Sequence, residues 1–330
     1  MVRTAAAVLI AALAAGCSAS TSGGPGSSGP SGPSSASSDH PTGGPSTPST
    51  SAVASSAPAS GATAAGGAAT VGGRILTQTI PGPTSHFRAR PAEIWLPPIL
   101  QRQPHLRLPV LELLHGTPGS PSEWAAMGAG VLNAFAAAHG GQAPIVVMPD
   151  INGSARADTE CIRDSAGADV ERYLTVDVTR WVDQHLPVRS GSRWGLAGIS
   201  EGGTCALMLA LRYPRQYGLF GDFSGLARPT TGDSDDPATT VRVLFSGSRS
   251  AYDQHDPLWL LGHHRYPTLV GWVEYGTADR AVRLASLRVV AEARAAGIPV
   301  HHVELAGGHQ WAVWISTLRS MLPWAWRRLA

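Results

Sequence analysis

The sequence predicts an α/β fold with a mainly parallel central sheet, an antiparallel start and helices on both faces. Short apolar runs alternate with amphipathic runs from Arg74 onward, a pattern typical of strands and helices that build a covered parallel sheet. The first three apolar runs, up to Leu114, have no helix between them, so we expect antiparallel pairing there. A glycine-flanked serine, Ser200, stands where one apolar run passes directly into a helical run, which indicates a strand-to-helix turn.

Nine short apolar runs are predicted strands because turn residues or helical patterns bound each of them. The nine runs are Arg74–Ile80, Ala92–Leu96, Val110–Leu114, Ile145–Met148, Trp194–Ala197, Leu219–Ser224, Val241–Phe245, Leu269–Tyr275 and Val300–Leu305.

Three helices have clear local signals. Ser120-Pro121-Ser122-Glu123 predicts a capping box with proline at the first helical position. A second helix runs from Asp279 toward Ala296 and ends at a Gly-Ile-Pro sequence. The third has one apolar face, formed at three- and four-residue spacing by Val170, Tyr173, Leu174, Val178, Trp181, Val182 and Leu186.

Residues 1–17 predict a lipoprotein signal peptide. Arg3 gives a positive start, and the small and apolar residues 5–16 form a run too short for a membrane-spanning helix. The run ends in Leu-Ala-Ala-Gly-Cys17, which resembles the lipobox of bacterial lipoproteins, although Ala14 stands where leucine is preferred. The alternative is an ordinary cleaved signal with an incidental cysteine. We expect export and lipid anchoring through Cys17 to the outer face of the bacterial cytoplasmic membrane.

Residues 18–73 predict a disordered linker, and residues 74–330 predict the folded domain. Outside Gly, Ser, Pro, Ala and Thr, the linker contains only Asp39, His40, Val53 and Val71. Such a composition buries too little apolar surface to offset the entropy of the chain.

Composition excludes several kinds of chemistry. All 25 residues counted as Lys or Arg are arginine, so a pyridoxal Schiff base, a phosphate-binding loop with its lysine and an S-x-x-K hydrolase are ruled out. The net charge of +2 favours neither nucleic acid nor another polyanion as partner. No H-E-x-x-H or H-x-H pattern occurs, and we expect no metal, no cofactor and no obligate protein partner.

Ser200 is the predicted nucleophile. The sequence Gly198-Ile-Ser200-Glu-Gly202-Gly stands between the predicted strand Trp194–Ala197 and a helical run that Pro214 ends. A nucleophile elbow needs this arrangement, because side chains two positions before and after the serine would collide with the neighbouring strand and helix. The alternative is a glycine-rich turn with a solvent-exposed serine.

His309 is the predicted base. It follows the last predicted strand and precedes a final helix, so it can reach over the carboxyl edge of the sheet, where Ser200 also lies. The less favoured histidines lie within a strand, in a loop pair, or after the strand Val110–Leu114, where a role in shaping the loop is expected; they are His301, His302, His263, His264 and His115.

Asp279 is the predicted acid that orients the histidine. It follows the strand Leu269–Tyr275, and the chain order Ser–Asp–His is that of the α/β-hydrolases. Asp253 and Asp256 are rivals in an irregular stretch, and Glu274 lies within a strand. The same position would also suit an aspartate that only caps the following helix.

Two backbone N–H groups are predicted to form an oxyanion hole. One is that of Glu201, directly after the nucleophile, and the other is that of Thr117, in the loop after Val110–Leu114. Pro118 has no N–H and cannot serve. The carboxylate of Glu201 suits a helix N-terminus, and contact with substrate or repulsion of acidic acyl groups are alternatives.

Four motifs in order resemble the putative-esterase family of α/β-hydrolases, which includes esterase D (S-formylglutathione hydrolase) and the secreted mycolyltransferases of actinobacteria. The motifs are Leu113–Gly119, Gly198–Gly203, Tyr275–Asp279 and Gly307–Trp311, and the resemblance extends over residues 74–330. It implies the α/β-hydrolase fold and acyl-ester chemistry. It also implies the triad roles for Ser200, Asp279 and His309 and the oxyanion roles for Thr117 and Glu201. Glutamate replaces the methionine that mycolyltransferases carry after the serine, so trehalose and mycolate are not carried over as substrates.

Cys161 and Cys205 are predicted to form a disulfide, because an exported domain folds in an oxidising compartment. The bridge would pin the loop of residues 158–164 beside the active site. Two buried thiols are the alternative.

Three functions remain open. A serine esterase acting on a small-molecule or lipid acyl ester is the first, and an acyltransferase to a sugar or lipid hydroxyl is the second. A catalytically silent envelope-binding domain is the third, and a peptidase is disfavoured because no gating domain is present. The stretch from Arg228 to Pro267 is the predicted cap or lid. Five tryptophans are candidates for the wall of an acyl pocket or for the core: Trp95, Trp124, Trp259, Trp311 and Trp314.

Overall fold

The computed structural model describes residues 72–231 and 236–330. The predicted signal peptide, the predicted lipidation site Cys17 and the predicted linker up to residue 71 lie outside these described residues. None of the described helices combines the length and the apolar content that crossing a bilayer requires.

One eight-stranded sheet organises the described residues, in the order β1-β2-β4-β3-β5-β6-β7-β8. The strands are β1 (Arg74–Gln78), β2 (Ala92–Leu96), β3 (Val110–Leu114), β4 (Ile145–Met148), β5 (Trp194–Ile199), β6 (Tyr217–Phe223), β7 (Val270–Gly276) and β8 (Val300–Leu305). The strand β2 pairs antiparallel with both β1 and β4, and every other pairing is parallel. The predicted α/β class with an antiparallel start is therefore confirmed.

Helices connect the strands and cover the sheet. Within the described residues they are α1 (Ile99–Arg102), α2 (Pro121–Ala138), α3 (Val170–Arg172), α4 (Thr179–His185), α5 (Glu201–Arg212), α6 (Pro237–Leu244), α7 (Arg249–Asp253), α8 (Pro257–His263), α9 (Arg280–Ala295) and α10 (Trp311–Leu329). The predicted helix over residues 170–186 forms as expected, except that a π-helical turn, Tyr173–Val178, joins α3 to α4.

Two apolar clusters form the core, one on each face of the sheet. On one face, α2 and α10 pack against the strands through residues such as Trp124 and Met321. On the other face, α5, α8 and α9 pack against the strands through residues such as Leu207 and Val289. Successive residues of a strand point to opposite faces, so Leu196 and Ala197 in β5 belong to different clusters. Burial on both faces fits the central strands, which are largely apolar and contain only single buried acids such as Glu112 in β3.

The predicted strand Val241–Phe245 is wrong, because this segment lies in helix α6 and its C-terminal end. Asp236 caps the helix by accepting the N–H of Ala238 at 2.9 Å, and proline occupies the first helical position. Val243 is 57% exposed, whereas Leu244 is buried. Thr240 and Leu244, four residues apart, are the buried residues of this helix, a spacing that a short apolar run alone did not reveal.

The sheet brings the carboxyl ends of its parallel strands to one edge. Ser200 follows β5, Asp279 follows β7 by three residues, and His309 follows β8 by four residues. In open α/β sheets this edge is where ligands bind.

Candidate active site

Ser200 lies at a tight turn between β5 and α5. Its backbone has φ of 53° and ψ of −123°, in the left-handed half of conformational space that non-glycine residues rarely adopt. A Cβ atom at Gly198 would lie 2.2 Å from the carbonyl oxygen of Gly202, and one at Gly202 would lie 2.4 Å from that of His115. The two glycines are therefore required by close backbone approach, and the geometry is that of a nucleophile elbow.

Three side chains form a continuous hydrogen-bonded chain at this turn. His309 Nε2 lies 2.9 Å from Ser200 Oγ, and His309 Nδ1 lies 2.7 Å from Asp279 Oδ2. The imidazole side chain is 40% exposed, so solvent and substrate can reach it, whereas the Asp279 side chain is 10% exposed. Asp279 is also the N-cap of α9, since its Oδ1 accepts the N–H of Val282 at 3.4 Å. The two roles that the sequence offered as alternatives are thus compatible.

Two tryptophans of α10 pack beside the exposed histidine. The ring of Trp314 meets the ring of His309 edge to face, with centroids 5.0 Å apart. Trp314 Nε1 donates to Ser224 Oγ at 3.1 Å, and Trp311 contacts both Trp314 and Trp124 in edge-to-face geometry. These contacts fix the face on which the imidazole rests.

The other predicted tryptophans lie elsewhere. Trp95 is fully buried in the core. Trp259, which belongs to α8, lines a cavity of about 690 Å³ together with Arg212 and Tyr266. The predicted cap segment contains the three short helices α6, α7 and α8.

The rival acids and histidines do not contact Ser200. Asp256 caps α8 by accepting the N–H of Leu258 at 2.9 Å, and Asp253 pairs with Arg249 at 2.7 Å. The remaining rivals also have other surroundings: Glu274, His301 and His302 on strands, His263 and His264 at the end of α8, and His115 in the interior. Within the described residues, His309 is the one histidine hydrogen-bonded to Ser200.

The loop after β3 packs directly against the serine. A Cβ at Gly116 would lie 3.0 Å from Ser200 Cβ, and the Thr117–Pro118 peptide bond is cis. The N–H of Glu201 is the first of helix α5, so no intrahelical partner exists for it. Among the described residues, no protein acceptor bonds the N–H of Thr117 or of Glu201. The two predicted oxyanion donors are therefore available to a ligand.

The carboxyl group of Glu201 points into the protein, which the sequence did not predict. The residue is 8% exposed, and its carboxyl oxygens contact Thr117 Oγ1, Asn152 Nδ2 and two backbone N–H groups. Burial, reinforced by the nearby charge of Asp158, raises the pKa of Glu201 to about 7. The only sequence signal was a glutamate at the start of an otherwise apolar helix.

Cys161 and Cys205 form a disulfide, with Cα atoms 5.8 Å apart and a sequence separation of 44. Cys205 lies in α5, one turn after Ser200, and both cysteines are fully buried. The loop that contains Cys161 is thereby attached to the helix of the elbow.

No cluster of three or more His, Cys, Asp or Glu side chains within residues 72–231 and 236–330 is arranged to hold a metal ion. The arrangement around Ser200 consists of a hydroxyl bonded to an imidazole, a carboxylate bonded to the other nitrogen of that ring, and two N–H groups that no protein acceptor occupies within the described residues.

Comparison with known proteins relates this chain to a wider group. Residues 86–325 match the model of the family described as Putative esterase. An uncharacterized protein of Corynebacterium glutamicum is 35% identical over 262 residues, which cover 77% of this chain and 61% of that protein. The chain therefore spans less than two thirds of the length of this relative.

Solved structures share the fold. A ferulic acid esterase superposes with a TM-score of 0.64 at 20% identity, over 78% of this chain and 98% of that one. An S-formylglutathione hydrolase from Agrobacterium tumefaciens also gives a TM-score of 0.64, at 19% identity, over 78% of this chain and 96% of that one.

Proposed function

The chain belongs to the Putative esterase family, and from this premise we propose that it is a serine hydrolase that cleaves carboxylic esters through an acyl-enzyme intermediate. One observation carries the proposal. Ser200 Oγ is 2.9 Å from His309 Nε2, and the other nitrogen of the same ring is 2.7 Å from Asp279. Nucleophile, base and orienting acid thus stand in one hydrogen-bonded chain.

The aspartate determines which nitrogen of His309 accepts a proton. An ionised carboxylate only accepts hydrogen bonds, so His309 Nδ1 carries the hydrogen that points to Asp279. His309 Nε2 is then free to accept the hydroxyl proton of Ser200. As that proton leaves, Ser200 Oγ bonds to the ester carbonyl carbon, and Asp279 stabilises the imidazolium that forms.

Backbone N–H groups stabilise the charge that forms, and His309 and water finish the reaction. The N–H groups of Thr117 and Glu201 donate to the carbonyl oxygen as it becomes negative, and the N-terminus of α5 adds its dipole. His309 returns its proton to the alcohol that leaves. Water then attacks the acyl carbon while His309 accepts one of its protons, the bond from that carbon to Ser200 Oγ breaks, and His309 returns the proton to Oγ as the free acid leaves.

An acceptor alcohol in place of water would make the same site an acyltransferase. The 40% exposure of the His309 side chain supports access of either nucleophile from the solvent side. The substrate is accordingly proposed as a small-molecule or lipid acyl ester.

A chain-length series of aryl esters tests the proposal. Wild type should release the aryl alcohol, and Ser200→Ala should not, while a sugar acceptor in the mixture reports transfer as an acylated sugar. Release of free acid at the same rate with and without the acceptor would favour hydrolysis. Equal turnover by Ser200→Ala and wild type would refute the mechanism.

We also propose that the chain is exported and lipid-anchored through Cys17, on the strength of the Leu-Ala-Ala-Gly-Cys sequence. In a bacterial host, radiolabelled palmitate should label the full-length protein and should not label Cys17→Ser. Equal labelling of both would contradict the proposal.

A further inference from the structure

The side chain of Glu201 connects the two halves of the oxyanion site. The two residues whose backbone N–H groups form that site, Thr117 and Glu201, are also hydrogen-bonded to each other through their side chains. Thr117 belongs to the loop after β3, and Glu201 begins α5, so this contact joins two separate elements.

The carboxyl group has a full set of neighbouring donors. One oxygen, Oε1, accepts the N–H groups of Thr159 at 3.2 Å and Glu160 at 3.0 Å. The other, Oε2, accepts Asn152 Nδ2 at 2.6 Å and the hydroxyl of Thr117. An ionised carboxylate can accept all of these bonds, and such bonds to charged acceptors are the strong ones.

Thr117 itself is held from several sides. Its hydroxyl lies 3.1 Å from the carbonyl oxygen of Ala157, and Asn152 Nδ2 lies 2.5 Å from the same hydroxyl. A hydroxyl has one hydrogen, which goes either to Glu201 or to Ala157. If Glu201 is ionised, the hydrogen points to Glu201. If Glu201 is protonated, its own hydrogen can point to Thr117, which then donates to Ala157. The contact between Glu201 and Thr117 persists in both protonation states.

We propose that Glu201 is a positioning residue. Its side chain holds Thr117 so that the backbone N–H groups of Thr117 and Glu201 both point to the same substrate oxygen. This inference rests on the proposed esterase function. Oxyanion stabilisation depends on donors placed at hydrogen-bond distance from one point, and a loop displaced by a fraction of an ångström loses part of it. The carboxyl group acts through the backbone and does not itself touch substrate.

Other charged groups face the same carboxyl. Asp158 raises the pKa of Glu201, and His115 lowers it. The neighbouring carboxyl of Glu160, itself buried, has a pKa well above its ordinary value because of burial and the proximity of Glu201. The variants that test the proposal must therefore leave all of these groups unchanged.

Thr117→Val meets this requirement. Valine has the shape of threonine and keeps the backbone N–H, but it cannot bond to Glu201. We expect kcat for an aryl ester to fall roughly ten- to hundred-fold, with KM within about two-fold of wild type, because the loss concerns the transition state. Thr117→Ser restores the hydroxyl and should recover most of kcat. Asp183→Asn removes an exposed acid far from the site and should behave as wild type.

Hydrogen exchange supplies a readout that is independent of turnover. In peptides that cover residues 115–119, exchange should be several-fold faster in Thr117→Val and in Glu201→Ala, which both lose the side-chain bond, than in wild type and Thr117→Ser. Wild-type kcat and unchanged exchange in Thr117→Val would overturn the positioning role while the esterase function stands. If wild type hydrolyses no ester, the proposed function fails, and exchange alone then decides whether Glu201 holds the loop. A parallel rise in exchange throughout Thr117→Val would show general destabilisation instead and would also contradict the proposal.

Discussion

Two histidine–aspartate pairs lie at the same edge of the sheet, and they have opposite surroundings. His115 Nε2 and Asp150 Oδ1 are 3.1 Å apart, and both side chains are fully buried. His309 Nδ1 and Asp279 Oδ2 are 2.7 Å apart, but the histidine is 40% exposed. The residue types are identical, so the environment of each pair must decide which pair stabilises a loop and which can move a proton.

The third partner of each pair is the deciding difference. The buried pair is closed off by the protein: Arg90 donates to Asp150 at 2.6 Å, and His115 Nδ1 donates to the carbonyl oxygen of Gly116 at 2.8 Å. In the exposed pair, the second ring nitrogen of His309 is hydrogen-bonded to the hydroxyl of Ser200. A histidine whose nitrogens are both occupied by the backbone and by a clamped carboxylate stabilises a loop, whereas one that faces a hydroxyl can move a proton.

The largest effect should follow from breaking the exposed pair's contact with the serine. Ser200→Ala and His309→Ala should each lower kcat/KM for an aryl ester by roughly 10³- to 10⁶-fold, because triad members act as a unit. The urea midpoint of unfolding should stay near wild type, since the His309 side chain is 40% exposed and its loss opens no enclosed cavity. A loss smaller than ten-fold in both variants would remove the distinction between the pairs.

Asp150→Asn should show the opposite pattern. Removing the charge leaves Arg90 without its buried partner, and breaking such a pair typically costs about 3–5 kcal/mol of unfolding free energy. Activity per folded molecule should fall far less than in the matched variant Asp279→Asn. Urea unfolding and active-site titration of the two variants measure both quantities, and equal stability of the two variants would break the comparison.

The disulfide strengthens the region of the buried pair. The disulfide attaches the loop that follows Asp150 to α5, and its two cysteines are separated by 44 in sequence. The chain-entropy relation gives at most about 4 kcal/mol for a loop of this length. The double variant Cys161→Ala/Cys205→Ala should lower the urea midpoint accordingly, and reductant should change the wild-type midpoint but leave the variant unaffected. Two free thiols in the native, non-reduced protein would contradict the bridge.

Glu112 and Asp150 are both buried acids, and they should change the stability of the fold in opposite ways as pH changes. Burial raises the pKa of Glu112 to about 8, whereas the surrounding hydrogen bonds and Arg90 hold the pKa of Asp150 well below its ordinary value. A raised carboxyl pKa makes the folded state bind more protons than the unfolded state, so its contribution to stability is lost as pH rises from about 4.5 to 8. Asp150 contributes in the opposite sense, and its stabilisation is lost as pH falls below the ordinary aspartate range.

Glu112→Gln measures this contribution. Gln has no ionisation, so between pH 5 and pH 8 wild type should lose roughly 3 kcal/mol of unfolding free energy relative to the variant. Tyr217, whose hydroxyl donates to Glu112 at 3.2 Å, keeps a partner in the amide oxygen. Parallel stability curves for the two proteins over this range would show that folding does not raise the pKa of Glu112.

The sequence predicted the exposed site better than the buried one, for a physical reason. Ser200, Asp279 and His309 each follow a strand, and parallel strands bring their carboxyl ends to one edge, so their proximity follows from chain order and fold class. Ser200 was further marked by glycines that close backbone approach requires. These signals are local and can be read along the chain.

The contacts of the buried side chains depend on packing that no local pattern records. His115 was expected to shape its loop, but its pairing with Asp150 involves a strand end 35 residues away. The inward turn of Glu201 depends on Asn152 and on the N–H groups of the loop that the disulfide secures. The strand predicted at Val241–Phe245 failed because a run of five residues has too few positions to separate helical from extended spacing.

Labelling with a fluorophosphonate tests most directly whether the exposed pair activates the serine. Wild type should take up one label, on the peptide that contains Ser200, and Asp150→Asn should label at a similar rate per folded molecule. His309→Ala should label at least a hundred-fold more slowly, because the base is missing. Equal labelling rates in wild type and His309→Ala, or ester turnover with no label on Ser200, would contradict the account.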